Sequence, residues 1–309
     1  MSDLRRHLTP EFDRQIIGQT SSGQFGIPHF LRMMNQYHLR ATFFVESLFA
    51  SAVGMTLLRR IVDLIQGEGQ DVQLHLHTEW VGEIDFFKTQ ISRQQHLCAY
   101  SEAEQTNLIA LALDNLNRAG ANKVCAFRAG NFRANAATLR ALRNNGIEID
   151  SSVNASISDS KFGLDATNPL IQPCLFGDVV EFPITCISDY PGHLRHLQLA
   201  ACSTAEIENA LLSAWNEQWK CCVILFHSFE LMRTTLGSGQ SNRRSWISAR
   251  RFRKLCQFLA RNRDKFSTRT FADIAPEEYL SNIEQRHLSS PIHFTAFRHL
   301  EQLAGRIWG

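Results

Sequence analysis

Two hydrophobic periods alternate along this chain, one typical of buried strands and one typical of amphipathic helices. Short, nearly continuous apolar runs predict six strands: 41–46 (ATFFVE), 72–77 (VQLHLH), 123–130 (KVCAFRAG), 147–153 (IEIDSSV), 178–185 (DVVEFPIT) and 221–229 (CCVILFHSF). Apolar residues at helical spacing predict helices over 27–40, 55–65, 101–118, 135–146, 203–220 and 246–262. Ser101-x-x-Glu104 and Ser203-x-x-Glu206 are capping boxes, and Asn135 is a third predicted N-cap.

Strands that alternate with helices, and that are apolar on both faces, indicate a parallel sheet covered by helices. The number of strand–helix units predicts an α/β fold of the closed or nearly closed (β/α) barrel type. We expect a polar N-terminal segment over 1–22, the barrel over 23–275, and a helical C-terminal tail over 276–309.

Composition narrows the function classes only a little. The formal net charge of +2 implies neither a nucleic-acid-binding surface nor an acidic protein. None of the eight cysteines forms a C-x-x-C pair, which favours reduced thiols in a reducing compartment. The N-terminus lacks the apolar core of a signal peptide, and no apolar run is long enough to span a membrane. We therefore expect a cytoplasmic protein.

Polar residues interrupt the apolar pattern near the ends of several strands. In a barrel of this kind the chemistry takes place where the strands end. The strand 72–77 carries His75 and His77 on one face, because alternate side chains of a strand point the same way. They are either metal ligands or catalytic groups, or else two hydrogen-bonded core imidazoles. Glu79 continues the alternation and is a candidate third ligand or a partner of the two imidazoles.

The other strand ends offer a set of candidates with two interpretations each. Arg128 and Asp150 form either a scaffold salt bridge between neighbouring strands or a pair that orients a catalytic group. His227, after five apolar residues, is either a core histidine or a catalytic acid or base. Glu181 is a weaker candidate for substrate binding, because Pro183 follows it closely.

Substrate-binding candidates also come from loops. Arg195, between two histidines in the segment PGHLRHLQLA, is expected in a lid or substrate-recognition loop, with a solvated or structural role as the alternative. Asn131, three residues after Arg128, is a further candidate for substrate binding.

Five of these stretches, in this order, resemble the motifs of the polysaccharide deacetylases, carbohydrate esterase family four. They are ATFFVE, QLHLHTEW with His75 and His77, FRAGNF with Arg128, IDSS with Asp150, and ILFHSF with His227. The resemblance covers roughly residues 23–275. It implies a distorted or incomplete (β/α)7–8 barrel and the hydrolysis of an N- or O-acetyl group on a sugar.

The resemblance also implies site roles and a divalent metal, usually zinc. The metal would polarise the acetyl carbonyl and bind the attacking water. His75 with His77, or His75 with Glu79, would supply ligands. His227 would protonate the leaving group, and Arg128 with Asp150 would position the catalytic groups.

The sequence departs from the family pattern in two places. The histidines of the second motif are four apart in the family, whereas here the residue four after His75 is Glu79. The family's first motif, a strand that ends in an aspartate doublet or Asp-x-Glu, has no counterpart: Asp3, Glu11 and Asp13 lie in a polar stretch. Two explanations are open, a missing N-terminal strand or a member of the family that does not turn over substrate efficiently.

The leading hypothesis is a metal-dependent deacetylase or related hydrolase that acts on an acetylated sugar. The alternatives are a non-catalytic carbohydrate-binding or regulatory protein on the same fold, and a metal-independent scaffold with core histidines. We expect neither nucleic acid nor a membrane as a partner.

Overall fold

The computed structural model describes residues 9–88, 91–157, 170–235, 241–280 and 286–307. By its internal contacts the chain divides into two compact units. The sheet unit comprises Ala41–Ile184 and Arg269–Gln285, and the terminal unit comprises Met1–Arg40, Thr185–Thr268 and Arg286–Gly309. None of the helices in the described ranges is long and apolar enough to cross a membrane.

Six of the described helices lie where the apolar spacing predicts them, one lies in the predicted helical tail, and two short ones, at 49–53 and 85–88, were not predicted. In chain order they are α1 (Ile27–Gln36), α2 (Phe49–Val53), α3 (Thr56–Gly67), α4 (Asp85–Lys88), α5 (Glu102–Arg118), α6 (Ala136–Asn144), α7 (Thr204–Asn216), α8 (Trp246–Arg261) and α9 (Ile292–Ile307).

The three predicted N-caps are confirmed. Ser101 and Ser203 each accept a hydrogen bond from the backbone N–H three residues on, and Asn135 accepts one from Thr138. Each of these bonds satisfies a backbone donor that the helix itself leaves without a partner. The starts of α5, α6 and α7 are thus set by local sequence.

The strands are more numerous than predicted. They are β1 (Gln19–Thr20), β2 (Gly23–Gln24), β3 (Thr42–Glu46), β4 (Asp71–Leu76), β5 (Ala126–Ala129), β6 (Ile149–Asp150), β7 (Cys174–Phe176), β8 (Val179–Glu181), β9 (Cys186–Tyr190), β10 (His193–His196), β11 (Met232–Thr235), β12 (Ser241–Arg244) and β13 (Leu288–Ser289).

The sheet unit contains one six-stranded sheet in the order β3-β4-β5-β6-β8-β7. All neighbours in it are parallel except β7, which pairs antiparallel with β8. The predicted α/β class with a mostly parallel sheet is confirmed. The barrel is not confirmed, because none of the sheets formed by the described strands closes on itself.

The terminal unit has two smaller sheets, β11-β12-β1-β2 and β10-β9-β13. Its core packs Ile187, Leu197 and Cys202 against apolar residues of α7 and α8. The segment 193–196, predicted as part of a lid or recognition loop, is strand β10, paired with β9.

The segment 221–229 was predicted as the most apolar strand, but that prediction is wrong, because the segment forms no regular strand. Only Leu225 forms a bridge, to Gln198. The Thr185 hydroxyl accepts the Val223 N–H at 2.8 Å, so a side chain takes one of the hydrogen bonds that a continuous ladder would need.

Candidate active site

A row of polar side chains crosses the sheet unit at the carboxyl ends of three adjacent parallel strands. Glu46 of β3 is in register with His75 of β4, and His75 is in register with Arg128 of β5. Residues in register on neighbouring strands point to the same face of the sheet. Glu46, His75 and Arg128 therefore form one row, at the edge where open parallel sheets bind their ligands.

The tautomer of His75 is set by the next strand. Its Nδ1 lies 2.6 Å from the backbone carbonyl oxygen of Arg128. A carbonyl can only accept, so Nδ1 carries the proton and donates, and the lone pair is on Nε2. A lone pair on Nε2 suits both the acceptance of a proton from water and the ligation of a divalent cation.

His77 lies directly after β4, and its ring centroid is 4.8 Å from that of His75, with the two rings nearly perpendicular. Its Nδ1 is 3.8 Å from a carboxylate oxygen of Glu79, whose side chain is mostly exposed. Gly130 makes room for this imidazole, because a Cβ at position 130 would come within 2.8 Å of His77 Nδ1. Sequence reasoning did not single out Gly130, which depends on a contact between two strands.

The predicted metal ligands were tested against this geometry. Among the residues that the structure describes, no group of three or more His, Cys, Asp or Glu is arranged to hold a metal ion. His75 and His77 are close together, but with Glu79 they do not form a three-ligand set. Metal binding at these residues stays a prediction.

Arg128 is held firmly at its strand end. Its guanidinium donates to the Ser151 carbonyl at 3.0 Å and to the Ser151 hydroxyl at 2.9 Å. It also lies over the ring of Phe44, 4.2 Å from the centroid. Burial lowers the pKa of Arg128 to about 10, so the group stays charged at neutral pH. These contacts restrict the guanidinium to one orientation.

Asp150 and Glu181 lie on the opposite face of the sheet from Arg128. Asp150 is in register with Phe127, the neighbour of Arg128, and Glu181 is in register with Asp150. Both carboxyl groups are fully buried, and Ser152 donates to Asp150 at 2.6 Å. Arg128 and Asp150 therefore do not form the direct pair that we expected, because Arg128 lies on one face of the sheet and Asp150 and Glu181 lie on the other.

Burial dominates the electrostatics of these two carboxyls. It raises the pKa of Asp150, and it raises the pKa of Glu181 well above its usual value, with the Asp150 charge acting in the same direction. Two buried carboxyls beside one guanidinium favour retention of a proton. Glu181, which we predicted to bind substrate, has no exposed surface in this arrangement; that role stays a prediction.

Glu46 belongs to the row but was not predicted as a site residue. Its carboxylate accepts the backbone N–H of Leu48 at 2.8 Å and that of Phe49 at 3.3 Å. Burial raises the pKa of Glu46 to about 8, the largest of several opposing effects. The signal was present in the sequence, since an apolar strand that ends in a carboxylate follows the same rule as the other strand ends.

His227 lies in the terminal unit, where its imidazole is about half exposed, and Nδ1 is 2.8 Å from a carboxylate oxygen of Glu230. Its predicted role with the sheet-unit residues stays a prediction. Arg195, in β10, donates to the buried Asp189 carboxylate at 2.7 Å. Asn131 is exposed and has a left-handed backbone, with φ of 55°, which asparagine tolerates better than most residues.

Neither of the two described carboxylates of the polar N-terminal stretch belongs to a strand. Glu11 pairs with Arg14, and Asp13 begins a single helical turn, Asp13–Ile17. Asp3 lies outside the described residues. Neither described carboxylate occupies the position of a strand-end aspartate in the six-stranded sheet.

No protein-family model matches the chain, and no curated protein matches it. Among solved structures it is similar to a proposed polysaccharide deacetylase from Mycobacterium smegmatis, with 16% identity and a TM-score of 0.48 over 86% of this chain and 81% of that one. It is also similar to a family 4 carbohydrate esterase from Streptomyces lividans in complex with acetate, with 16% identity and a TM-score of 0.42 over 81% of this chain and 86% of that one. Both TM-scores are below 0.5, so neither likeness carries an argument about fold or activity.

Proposed function

We propose that this protein is a hydrolase that removes an acetyl group, linked as an amide or an ester, from a sugar. The observation that carries the proposal is the row Glu46, His75 and Arg128, in register at the carboxyl ends of three adjacent parallel strands. The five sequence motifs that resemble the polysaccharide deacetylases support the acetylated sugar as the substrate class. Two of those motifs supply His75 and Arg128.

The residues have distinct proposed roles. His75, with its lone pair on Nε2, accepts the proton of the attacking water as a general base. Arg128 provides a fixed positive charge near the oxygen that becomes negative in the transition state. Asp150 and Glu181, on the opposite face of the sheet, act on Arg128 through their charge, and Ser151 holds its guanidinium in place. The resemblance of ILFHSF to the family's last motif supports His227 as the group that protonates the leaving amine or alcohol.

A divalent metal, most simply zinc, would add polarisation of the acetyl carbonyl. No step is assigned to it here, because His75, His77 and Glu79 do not form a three-ligand set among the described residues. The same observation favours a second candidate function, a carbohydrate-binding protein on this fold that does not turn over its ligand.

Acetate release distinguishes the two candidates. The wild type, His75→Ala, His227→Ala and the control His299→Ala are incubated with sugar oligomers that carry amide-linked or ester-linked acetyl groups. His299 is an exposed histidine of α9. We expect release by the wild type and the control, and a loss of about 100-fold or more in the other two variants.

Other outcomes have clear meanings. Binding of the oligomers by the wild type without acetate release would support the second candidate. Release that is unchanged in both His75→Ala and His227→Ala would contradict the proposed hydrolase mechanism. Thermal unfolding of each variant shows that a loss of release does not come from a loss of fold.

A further inference from the structure

The turn that follows His227 brings a buried carboxylate back against its imidazole. The Glu230 N–H donates to the His227 carbonyl at 3.1 Å, which closes a tight turn through Ser228 and Phe229. In return, the His227 N–H donates to Glu230 Oε1 at 2.9 Å. The two residues are therefore linked through backbone as well as side chain, and the turn places the carboxylate beside the imidazole.

A second segment of the terminal unit fixes the same carboxylate. Gln198 Nε2 donates to Glu230 Oε1 at 2.6 Å, and the Ala200 N–H donates to Glu230 Oε2 at 2.9 Å. The orientation of the Gln198 amide is itself set, because its Oε1 lies 2.6 Å from His196 Nε2. Glu230 is thus surrounded by donors, and its side chain is only 3% exposed, whereas that of His227 is 46% exposed.

This arrangement determines which nitrogen of His227 carries the proton. Nδ1 is 2.8 Å from Glu230 Oε1 and 3.2 Å from Gln198 Nε2. If Nδ1 lacked a proton, its lone pair would face the carboxylate at hydrogen-bonding distance, which is repulsive. A proton on Nδ1 donates to the carboxylate instead, and the Gln198 amide keeps its own bond to Glu230. The ring nitrogen that can exchange a proton with a substrate is then Nε2.

We propose that Glu230 is the positioning residue of His227 and holds its imidazole in the Nδ1–H tautomer. The inference rests on the proposed function in one respect, because the proposed function assigns to His227 the proton transfer to the leaving group. Phe229 adds to the positioning, because its ring stacks on the imidazole with centroids 5.1 Å apart and an interplanar angle of 18°. The sequence analysis had assigned no carboxylate of the terminal unit to this histidine.

Three substitutions separate the contributions of Glu230. Glu230→Ala removes both the acceptor and the charge. The Gln198 amide then becomes the group that faces Nδ1, and since it donates, it favours the Nε2–H tautomer. Glu230→Gln keeps one acceptor oxygen and removes the charge. Glu217→Ala, an exposed glutamate at the end of α7, is the matched control.

The tautomer is measured by nitrogen-15 NMR of the histidine side chains, with His227 assigned through His227→Gln. We expect Nδ1–H in the wild type, in Glu230→Gln and in Glu217→Ala, and a shift toward Nε2–H in Glu230→Ala. This measurement needs no turnover, so it tests the inference even if the wild type releases no acetate. A wild-type protein with the proton on Nε2, or an unchanged tautomer in a folded Glu230→Ala variant, would overturn the proposal.

Kinetics add a second readout if acetate is released. We expect kcat to fall about 100-fold in Glu230→Ala and about 10-fold in Glu230→Gln, with KM changed less than about two-fold, because the interaction acts on proton transfer and not on binding. Glu230→Asp, which retains the charge, should recover part of the loss. Equal kcat in the wild type and a folded Glu230→Ala variant would overturn the assignment.

Discussion

Gln73 is not part of the candidate active site, but we expect its loss to disturb the site through the backbone of β5. It lies in β4, two residues before His75, and is fully buried. Its side-chain oxygen accepts the backbone N–H of Cys125 at 2.8 Å and that of Ala126 at 2.7 Å. Its side-chain nitrogen donates to Asp71 and to the Lys123 carbonyl. One amide therefore satisfies the backbone at the start of β5.

The substitution Gln73→Leu keeps a similar volume and removes all four hydrogen bonds. Each buried N–H left without an acceptor costs about 1–3 kcal/mol, and burial of the leucine side chain offsets part of that loss. We expect the free energy of unfolding to fall by about 3 kcal/mol. Because β5 carries Arg128, whose carbonyl holds His75, we also expect acetate release to fall.

Urea unfolding measures the change in free energy, and hydrogen exchange shows where it arises. The amides of Cys125 and Ala126 should lose protection in Gln73→Leu, while those of α8 should not. The control Gln36→Leu, at an exposed position at the end of α1, should change stability by less than about 0.5 kcal/mol. A loss below about 1 kcal/mol in Gln73→Leu, with both amides still protected, would refute the reasoning.

Three further predictions concern charge and metal. In the folded protein Glu46 keeps its proton until the pH approaches its pKa of about 8, whereas in the unfolded chain it loses the proton near pH 4. The protonated Glu46 therefore stabilises the folded state at low pH, and this stabilisation is lost as the pH rises from about 4 to about 8. In urea titrations, Glu46→Gln should therefore gain stability over the wild type between pH 5 and pH 8, by up to about 4 kcal/mol; a pH-independent difference would contradict this. Because the Nε2 lone pair of His75 serves either as the general base or as a metal ligand, elemental analysis separates the two uses: less bound divalent metal in His75→Ala than in the wild type would assign the lone pair to the metal, and equal metal in both would exclude His75 as a ligand. Arg298→Met leaves the buried carboxylates of Asp189 and Glu206 without their shared partner. We expect the free energy of unfolding, measured by thermal or urea unfolding, to fall by about 3–5 kcal/mol, and a fall of less than about 1 kcal/mol would contradict a stabilising role of this network.

Much of the secondary structure could be predicted because its signals are local. The capping box at Ser101 and the apolar spacing after it are contained in one stretch of chain, and α5 begins where they indicate. The strand 221–229 was mispredicted because a run of apolar residues shows burial and not hydrogen bonding. Whether such a run joins a ladder depends on groups distant in sequence, here the hydroxyl of Thr185.

The site could be predicted only in part, for a related reason. The alternation of side chains along β4 correctly placed His75 on the same face as Gln73, because this alternation does not depend on the neighbouring strand. The face of Asp150 relative to Arg128 depends on the register of β6 against β5, and a shift of one residue moves a side chain to the other face. Glu230 was missed because its importance arises from the turn and from Gln198, which is remote in the sequence.

The two faces of the sheet unit are coupled by charge. With both groups ionised, Asp150 and Glu181 place two negative charges near the positive charge of Arg128. Burial raises the pKa of both carboxyls, that of Glu181 well above its usual value, with the charge of Asp150 acting in the same direction. The charges of Asp150 and Glu181 in turn raise the pKa of Arg128, against the burial that lowers it to about 10. Any substitution that fixes a charge at Asp150 or Glu181 should therefore be felt at Arg128, which belongs to the row on the opposite face.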